Sequence, residues 1–186
     1  MTAPGGGRSV LRLLCVRAVR LASAIALLGL AAGCSSRAEV PTAVRDASIY
    51  QSVINDLVDQ SGVDLDDSGE MPVVFIESFE PDEMPLEVQV EVIAGFVERY
   101  EIRFIDDRDE AVEIDEAGEP VRAGSLLIGL GPIVLDGAAE LRGELYLSTE
   151  EVRAYRYRLS AASDESWSVT AGSPEAIEPV GFVRAS

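Results

Sequence analysis

The sequence predicts an α+β domain in which two helices from the first half pack on an antiparallel meander sheet in the second half. Apolar residues recur at helical spacing in residues 43–60 and 86–100. After residue 100, short β-branched and aromatic runs follow at intervals of roughly ten residues, with turn residues between them. Because the helical patterns precede most of the strand patterns instead of alternating with them, the α+β class is favoured.

The first helix is expected across residues 43–60. Pro41 and Thr42 supply a start signal, and Ser61 and Gly62 supply a stop signal. One face of this helix is mostly acidic and amide-bearing, and we expect the opposite, apolar face to lie in the core. The apolar face consists of Tyr50, Val53, Ile54 and Leu57.

A strand and a segment with two interpretations follow the first helix. Residues 73–76 are β-branched or aromatic and predict a buried strand. Residues 86–100 fit both an alternating strand and a helix in which Val92 lies one turn before Phe96. Because Pro85 suits the first turn of a helix and the pattern is too long for one strand, we favour the helix.

The second half predicts a series of short strands. Turn signals separate them at Asp136-Gly137 and in residues 115–120, 148–151 and 163–166. Successive strands joined by such turns form an antiparallel meander. The expected strands cover residues 100–104, 111–114, 121–122, 125–130, 139–147, 152–160 and 167–170.

The hairpin formed by residues 139–147 and 152–160 has a restricted register. If its leucines and tyrosines share the core face, paired residue numbers must sum to an even value. The simplest such register places Leu145 opposite Tyr155, around a loop of residues 148–152. Glu144 then faces Arg156 on the solvent side, and glutamates beside Arg156 and Arg158 remove the need for an anionic ligand there.

The first 33 residues have the anatomy of a secretory signal. Residues 1–20 contain four arginines and no acid, and residues 21–32 form an apolar run that ends in small residues. That run is too short to cross a bilayer, which needs about 20 apolar residues. We therefore expect residues 1–33 to be a signal peptide, residues 34–42 to carry the lipid and form a tether, and residues 43–186 to fold as a single domain.

Residues 30–36, Leu-Ala-Ala-Gly-Cys-Ser-Ser, resemble the lipobox of bacterial lipoproteins. The resemblance implies cleavage before Cys34, diacylglycerol on its sulfur and usually an acyl chain such as palmitate on its amine. Two or more acyl chains anchor a protein stably, whereas one does not. The implied location is the cell membrane or the outer membrane, facing the periplasm or the exterior. Since Cys15 lies in the removed segment, the mature chain is expected to contain no disulfide.

Charge limits the partners and the chemistry. The chain has 33 acidic and 15 basic residues, a net charge of -18, which becomes -22 without the four signal arginines. Nucleic acid is not expected as a ligand, because binding phosphates requires clustered cations. Every basic residue is arginine, and the chain contains no histidine and no lysine. This excludes a histidine general base, a Ser-His-Asp triad, a Schiff-base lysine and a P-loop lysine.

Residues 64–70, Asp-Leu-Asp-Asp-Ser-Gly-Glu, resemble the first half of an EF-hand calcium loop. Asp64, Asp66 and Ser68 occupy positions one, three and five, and glycine occupies position six. Position twelve is Phe75 instead of a bidentate glutamate, so a complete EF-hand is excluded. Two interpretations remain: a looser Ca²⁺ loop completed by another carboxylate, and a solvated acidic loop. Residues 106–110 form a second acidic cluster, and no other cofactor is expected.

The order of helix, strand, helix and meander, which ends in a strand at Trp167, resembles small exported bacterial lipoproteins of unknown function. In pattern it also resembles cone-shaped NTF2-like domains, although a fold alone implies no function. The leading expectation is a membrane-anchored, non-enzymatic binding or structural module whose partner is an envelope protein or the cell wall. The alternative is a small-molecule-binding protein or a carboxylate-only hydrolase with an NTF2-like pocket.

Overall fold

The computed structural model describes residues 40–62, 71–80, 84–162 and 166–182 of the 186-residue chain. Cys34 and the calcium half-loop with Asp64, Asp66 and Ser68 lie outside these residues. The described part confirms a mixed α+β class with two α-helices, α1 (Thr42–Ser61) and α2 (Leu86–Ala94), and a short 3₁₀ turn at Arg108–Glu110. The strands are β1 (Val73–Ser78), β2 (Glu101–Ile105), β3 (Ser125–Leu130), β4 (Val134–Asp136), β5 (Ala138–Tyr146), β6 (Val152–Ala161), β7 (Trp167–Val169) and β8 (Glu175–Ile177).

Helix α1 agrees with the prediction to within one residue at each end. It begins after Pro41 and ends at Gly62, whose φ of 65° is the left-handed conformation that favours glycine at a helix end. The predicted apolar face is buried. The Tyr50 hydroxyl also donates to the carbonyl of Gly131, at 3.3 Å, and so ties the helix to the chain after β3.

Helix α2 confirms the helical interpretation but is shorter than predicted, because turns replace the helix after Ala94. Gln51 of α1 donates its side-chain amide to the carbonyl of Glu91, at 2.8 Å. A Cβ at Gly95 would overlap that amide, so a larger residue there would displace the Gln51 side chain from this hydrogen bond. Among the described residues, no helix is both long and apolar enough to cross a membrane.

The eight strands of the described residues form one sheet, in the order β2-β1-β3-β5-β6-β7, with β4 paired to β5 and β8 to β6. Strand β1 lies between β2 and β3 and is parallel to both. The other pairs are antiparallel. The expected meander therefore does not include β2, because α2 provides the long crossover that a parallel pair requires. The strand predicted at residues 111–114 is reduced to a single bridge between Val112 and Val121.

The two faces of the sheet have different covers. Both helices contribute to the core on one side, the helix face, where Ile54 and Val92 belong to the same buried cluster as Ile128 of β3. The other side, the strap face, is covered by two segments, residues 106–124 and residues 178–182. We call residues 178–182 the C-terminal strap. The buried cluster of the strap face consists of Phe75, Ile105, Ala111, Val112, Leu127, Tyr146 and Phe182.

The β5–β6 hairpin keeps the predicted parity but not the predicted register. Leu145 pairs with Arg153, and Tyr155 pairs with Gly143. Paired numbers still sum to an even value, and Leu141, Leu145, Tyr155, Tyr157 and Leu159 contribute to the helix-face core as predicted. The turn closes one residue earlier than predicted. In this turn the Ser148 hydroxyl accepts hydrogen bonds from the backbone N–H groups of residues 150 and 151.

Candidate functional site

A row of residues crosses the centre of the strap face. Glu77 of β1 pairs with Gly129 of β3, which pairs with Glu144 of β5. A Cβ at Gly129 would overlap Phe79 and lie 2.8 Å from the ring of Phe182. The glycine therefore provides the space in which these two rings pack edge to face, 5.6 Å apart. The two carboxylates flank this aromatic pair.

Glu144 binds the C-terminal strap to the sheet. Its side chain is fully buried and accepts hydrogen bonds from the backbone N–H groups of Val180, Gly181 and Phe182, at 2.8, 3.1 and 3.1 Å. The guanidinium of Arg142 donates to the same carboxylate at 2.7 Å. A buried carboxylate is costly unless it is paired and hydrogen-bonded, and here four donors satisfy it.

The position of Glu144 corrects the sequence-based interpretation. We expected this residue on the solvent side, opposite Arg156; instead it is buried and lies opposite Ala154. The prediction correctly placed Glu144 and Leu145 on opposite faces of β5. It wrongly treated the face of Glu144 as exposed to solvent, because the C-terminal strap covers that face. Three of its four donors are backbone groups 36 to 38 residues away, which carry no side-chain signature.

Glu77 lies at the end of β1 beside Arg108. The Arg108 Nε atom is 3.6 Å from Oε2 of Glu77, too far for a hydrogen bond, and within the described residues neither buried atom has another hydrogen-bond partner. Arg108 is held in place by the carbonyl of Phe182, at 3.0 Å, and by the rings of Phe182 and Tyr146. Burial raises the pKa of the Glu77 carboxyl, although Arg108 acts in the opposite direction.

A cleft of about 540 Å³ opens at the carboxyl ends of β1 and β2, next to the residues that follow β3. Glu77, Glu80 and Asp106 contribute carboxylates to its lining. Its apolar walls include Phe79, Phe104, Ile105, Pro132 and Val180. Glu77 directly follows the apolar run of residues 73–76, at the carboxyl end of a strand that leads into a helix. That position is the sequence signal that could have identified Glu77 as a site residue.

Helix α2 and the turn after it expose an apolar face. Val88, Val92 and Phe96 face the core, whereas large apolar residues on the other side are exposed. Spacing of three and four residues places Leu86, Val90 and Ile93 along one side of the helix, and Val97 follows in the turn. This set, which we call the α2 stripe, consists of Leu86, Val90, Ile93 and Val97, which are 71%, 55%, 39% and 64% exposed.

The arginines of β6 are neutralised by neighbouring glutamates, in agreement with the sequence-based interpretation. Arg158 lies 3.5 Å from Glu140, its partner on β5, and Arg156 lies 3.7 Å from Glu175 of β8. The correction here is that Arg156 faces Arg142, not Glu144, across the β5–β6 pair. The shallow pocket that these residues line therefore has no uncompensated positive charge.

The acidic cluster at residues 106–110 is divided among three roles. Asp106 lines the cleft, and Arg108 faces Glu77. The Asp107 side chain accepts a hydrogen bond from the backbone N–H of Asp109, at 3.0 Å. In the described part of the chain, no group of three or more His, Cys, Asp or Glu side chains is placed to hold a metal ion. Comparisons with protein-family models, curated proteins and solved structures give no match to this chain.

Proposed function

We propose that this protein is a lipid-anchored protein of the bacterial cell envelope whose domain binds a partner protein through the α2 stripe. The observation that carries the proposal is the exposure of four large apolar side chains along one side of α2 and the following turn. Scattered exposed apolar residues are ordinary, but several on the same side of one segment, bordered by polar residues, favour an interaction surface.

The rim of the stripe specifies the chemistry of the partner. Glu87, Glu91 and Glu98 are exposed next to the stripe residues, and Arg99 is the single cation of residues 86–99. Its guanidinium lies 5.1 Å from the centre of the Phe96 ring, outside the stripe. A partner that presents an apolar row bordered by arginine or lysine would complement this surface in shape and charge.

The same charges disfavour two other occupants. In a pair of identical stripes, the acidic rim of one copy would face that of the other, and like charges in such positions are costly. A membrane surface rich in anionic lipids would repel both the rim and a mature domain of net charge -22. We therefore assign the stripe to a different protein, not to a second copy or to lipid.

The anchor is supported by the sequence of residues 21–36, which lie outside the described part of the chain. Acylated Cys34 would hold the domain at a membrane surface on the exported side. With residues 34–42 as the lipidated cysteine and tether, the stripe would meet partners that are in, or close to, the same membrane.

Mass spectrometry of the mature N-terminus tests the anchor. We expect an acylated Cys34 as the first residue, and we expect Cys34→Ser to release the protein from membranes or to prevent its cleavage. A Cys34→Ser protein that is cut at the same bond and stays in the membrane would show that the lipid on Cys34 is not what holds it.

Photo-crosslinking tests the stripe. A photoreactive amino acid in place of Val90 should give one discrete adduct in intact cells, whereas the same probe in place of Glu150, in the β5–β6 turn, should not. The adduct should disappear in a Val97→Glu background, and the purified partner should bind the full-length protein more weakly as salt is added, because added ions screen the charged rim. An adduct between two copies of this chain, an adduct with lipid alone, or no adduct at all would contradict the proposal.

A further inference from the structure

The cleft at the carboxyl ends of β1 and β2 lies where the strand order of the sheet changes direction. From β1 the chain passes through α2 to β2 on one side, and from β3 it continues to β5 on the other side. The carboxyl ends of parallel strands at such a point form a crevice in which α/β proteins bind ligands. A volume of about 540 Å³ is within the range of small-molecule sites.

Glu77 is the partly buried carboxylate of this cleft. Its side chain is 22% exposed, and its contact with Arg108 is an ion pair at 3.6 Å, without a hydrogen bond. Arg108 does not move closer because the carbonyl of Phe182 and two aromatic rings already hold its guanidinium. The Oε2 atom that lacks a hydrogen bond is buried beside Arg108, so an N–H donor of a ligand would bind the exposed part of this carboxylate.

The free charge of the cleft is negative. Arg142 also lines it, but this guanidinium is bound to Glu144 at 2.7 Å and to the carbonyl of Glu178. Glu80 and Asp106 are exposed carboxylates at the rim. A cationic ligand would therefore be attracted, and an anionic ligand would be repelled.

Ser78 and Gln89 are also polar lining residues, and the apolar residues of the lining favour an apolar body on the ligand. Phe104 and Ile105 come from β2, Pro132 follows β3, and Val180 belongs to the strap. Such walls bury a hydrocarbon or aromatic body and leave the polar group to fix its orientation.

We infer that this cleft binds a small organic cation, a primary ammonium or guanidinium group on an apolar body, with Glu77 accepting a hydrogen bond from its N–H. A divalent metal ion fits less well, because the described carboxylates are not grouped to coordinate one. A quaternary ammonium has no N–H to donate, so the geometry also distinguishes between classes of organic cation.

Calorimetric titration of the full-length protein in detergent tests the inference with matched probes. Phenethylammonium and benzamidinium carry N–H donors, benzyltrimethylammonium carries the charge alone, and benzyl alcohol lacks the charge. We expect both N–H cations to bind at least about tenfold more tightly than the other two probes, since hydrogen bonds to charged groups are the strong ones. Equal affinity for all four probes, or no binding by either N–H cation, would overturn the inference.

Variants locate the site. Glu77→Gln should weaken binding of phenethylammonium by about tenfold or more, whereas Glu150→Gln, the same change of charge in the β5–β6 turn, should leave it within about twofold. Asp106→Asn, at the exposed rim, should weaken binding by a smaller factor without affecting folding, so it keeps the test valid if Glu77→Gln is unstable. Unchanged affinity in both cleft variants would place the ligand elsewhere. These results are independent of the α2 stripe, which lies outside the cleft lining.

Discussion

The helix face and the strap face of the same sheet are stabilised in different ways. On the helix face, residues such as Ile54 of α1 and Leu145 of β5 are buried among other apolar side chains. On the strap face, the adjacent residue of β5, Glu144, is equally buried but depends on Arg142 and three backbone N–H groups. Burial of apolar side chains is non-directional, whereas burial of a carboxylate requires each partner to be in place. The strap face should therefore be the more sensitive of the two to single changes.

Removal of Glu144 should give the largest effect. Glu144→Ala leaves Arg142 and the strap amides without their acceptor, and we expect a loss of about 3–5 kcal/mol in the free energy of unfolding. The control, Glu140→Ala, removes an exposed carboxylate from the same strand and should cost about 0–1 kcal/mol. Urea denaturation of the full-length protein measures both values.

Amide hydrogen exchange provides a second measurement on the Glu144→Ala variant, the protection of the strap. The amides of Val180, Gly181 and Phe182 should lose their protection in Glu144→Ala, because local opening of the strap then costs little. If those amides remain protected, or if both glutamate variants cost the same, the strap face is not more specific than the helix face.

An added methyl group at Gly129 should give an intermediate effect. Its Cβ would overlap Phe79, and overpacking of this kind costs about 1–3 kcal/mol. Gly131→Ala is the matched control, since its Cβ would meet the Cβ of Arg142 at an ordinary 3.4 Å. Thermal denaturation of the two variants compares them directly.

A double variant distinguishes overlap from a backbone effect. If Phe79 is the obstacle, Gly129→Ala with Phe79→Leu should be more stable than the sum of the two separate losses predicts. Strictly additive losses would show that the glycine is required for another reason.

The smallest effect concerns the pH dependence of stability. Burial raises the pKa of Glu77 in the folded state, with smaller contributions in the same direction from Asp107 and Glu144 and an opposing one from Arg108. Above the unfolded value of 4.5 and up to the raised value, the folded state holds more protons than the unfolded state, so this group makes stability fall as the pH rises. Glu77→Gln should remove that fall.

Denaturation midpoints at about pH 4 and about pH 7 measure this contribution. Relative to the unmodified protein, Glu77→Gln should become more stable as the pH rises, whereas Glu150→Gln should follow the unmodified protein. A Glu77→Gln curve parallel to that of the unmodified protein would show that this carboxyl is not destabilised by burial.

The sequence predicted the elements that depend on local patterns. The apolar spacing around Tyr50 located α1, and a run bounded by turn residues located β3 at Ser125–Leu130. Such patterns reflect which side of an element faces the core, and that information lies within a few residues.

The pairing of strands and the cover of the strap face could not be obtained in this way. Strand β1 pairs with β3, about 50 residues later, and nothing in either strand specifies that partner. Glu144 appeared to be a surface residue because alternation distinguishes two faces of a strand without showing that both are covered. Among the cleft residues, Glu77 could have been identified from its sequence position at the end of an apolar run. Val180 could not, because it lies at the cleft only when the strap is folded onto the sheet.

The strap also determines when the domain can be completed during synthesis. A chain is made from its N-terminus, so the strands and helices of the described residues precede residues 178–182 in time. A nascent chain that ends after β8 already contains all elements of the helix face, but its other side still exposes a carboxylate and the rings that Phe182 will cover. Such a chain would be an intermediate that has the core residues of its helix face but lacks the cover of its strap face. Export before folding, or a chaperone that holds the open side, would keep that intermediate from associating with its neighbours.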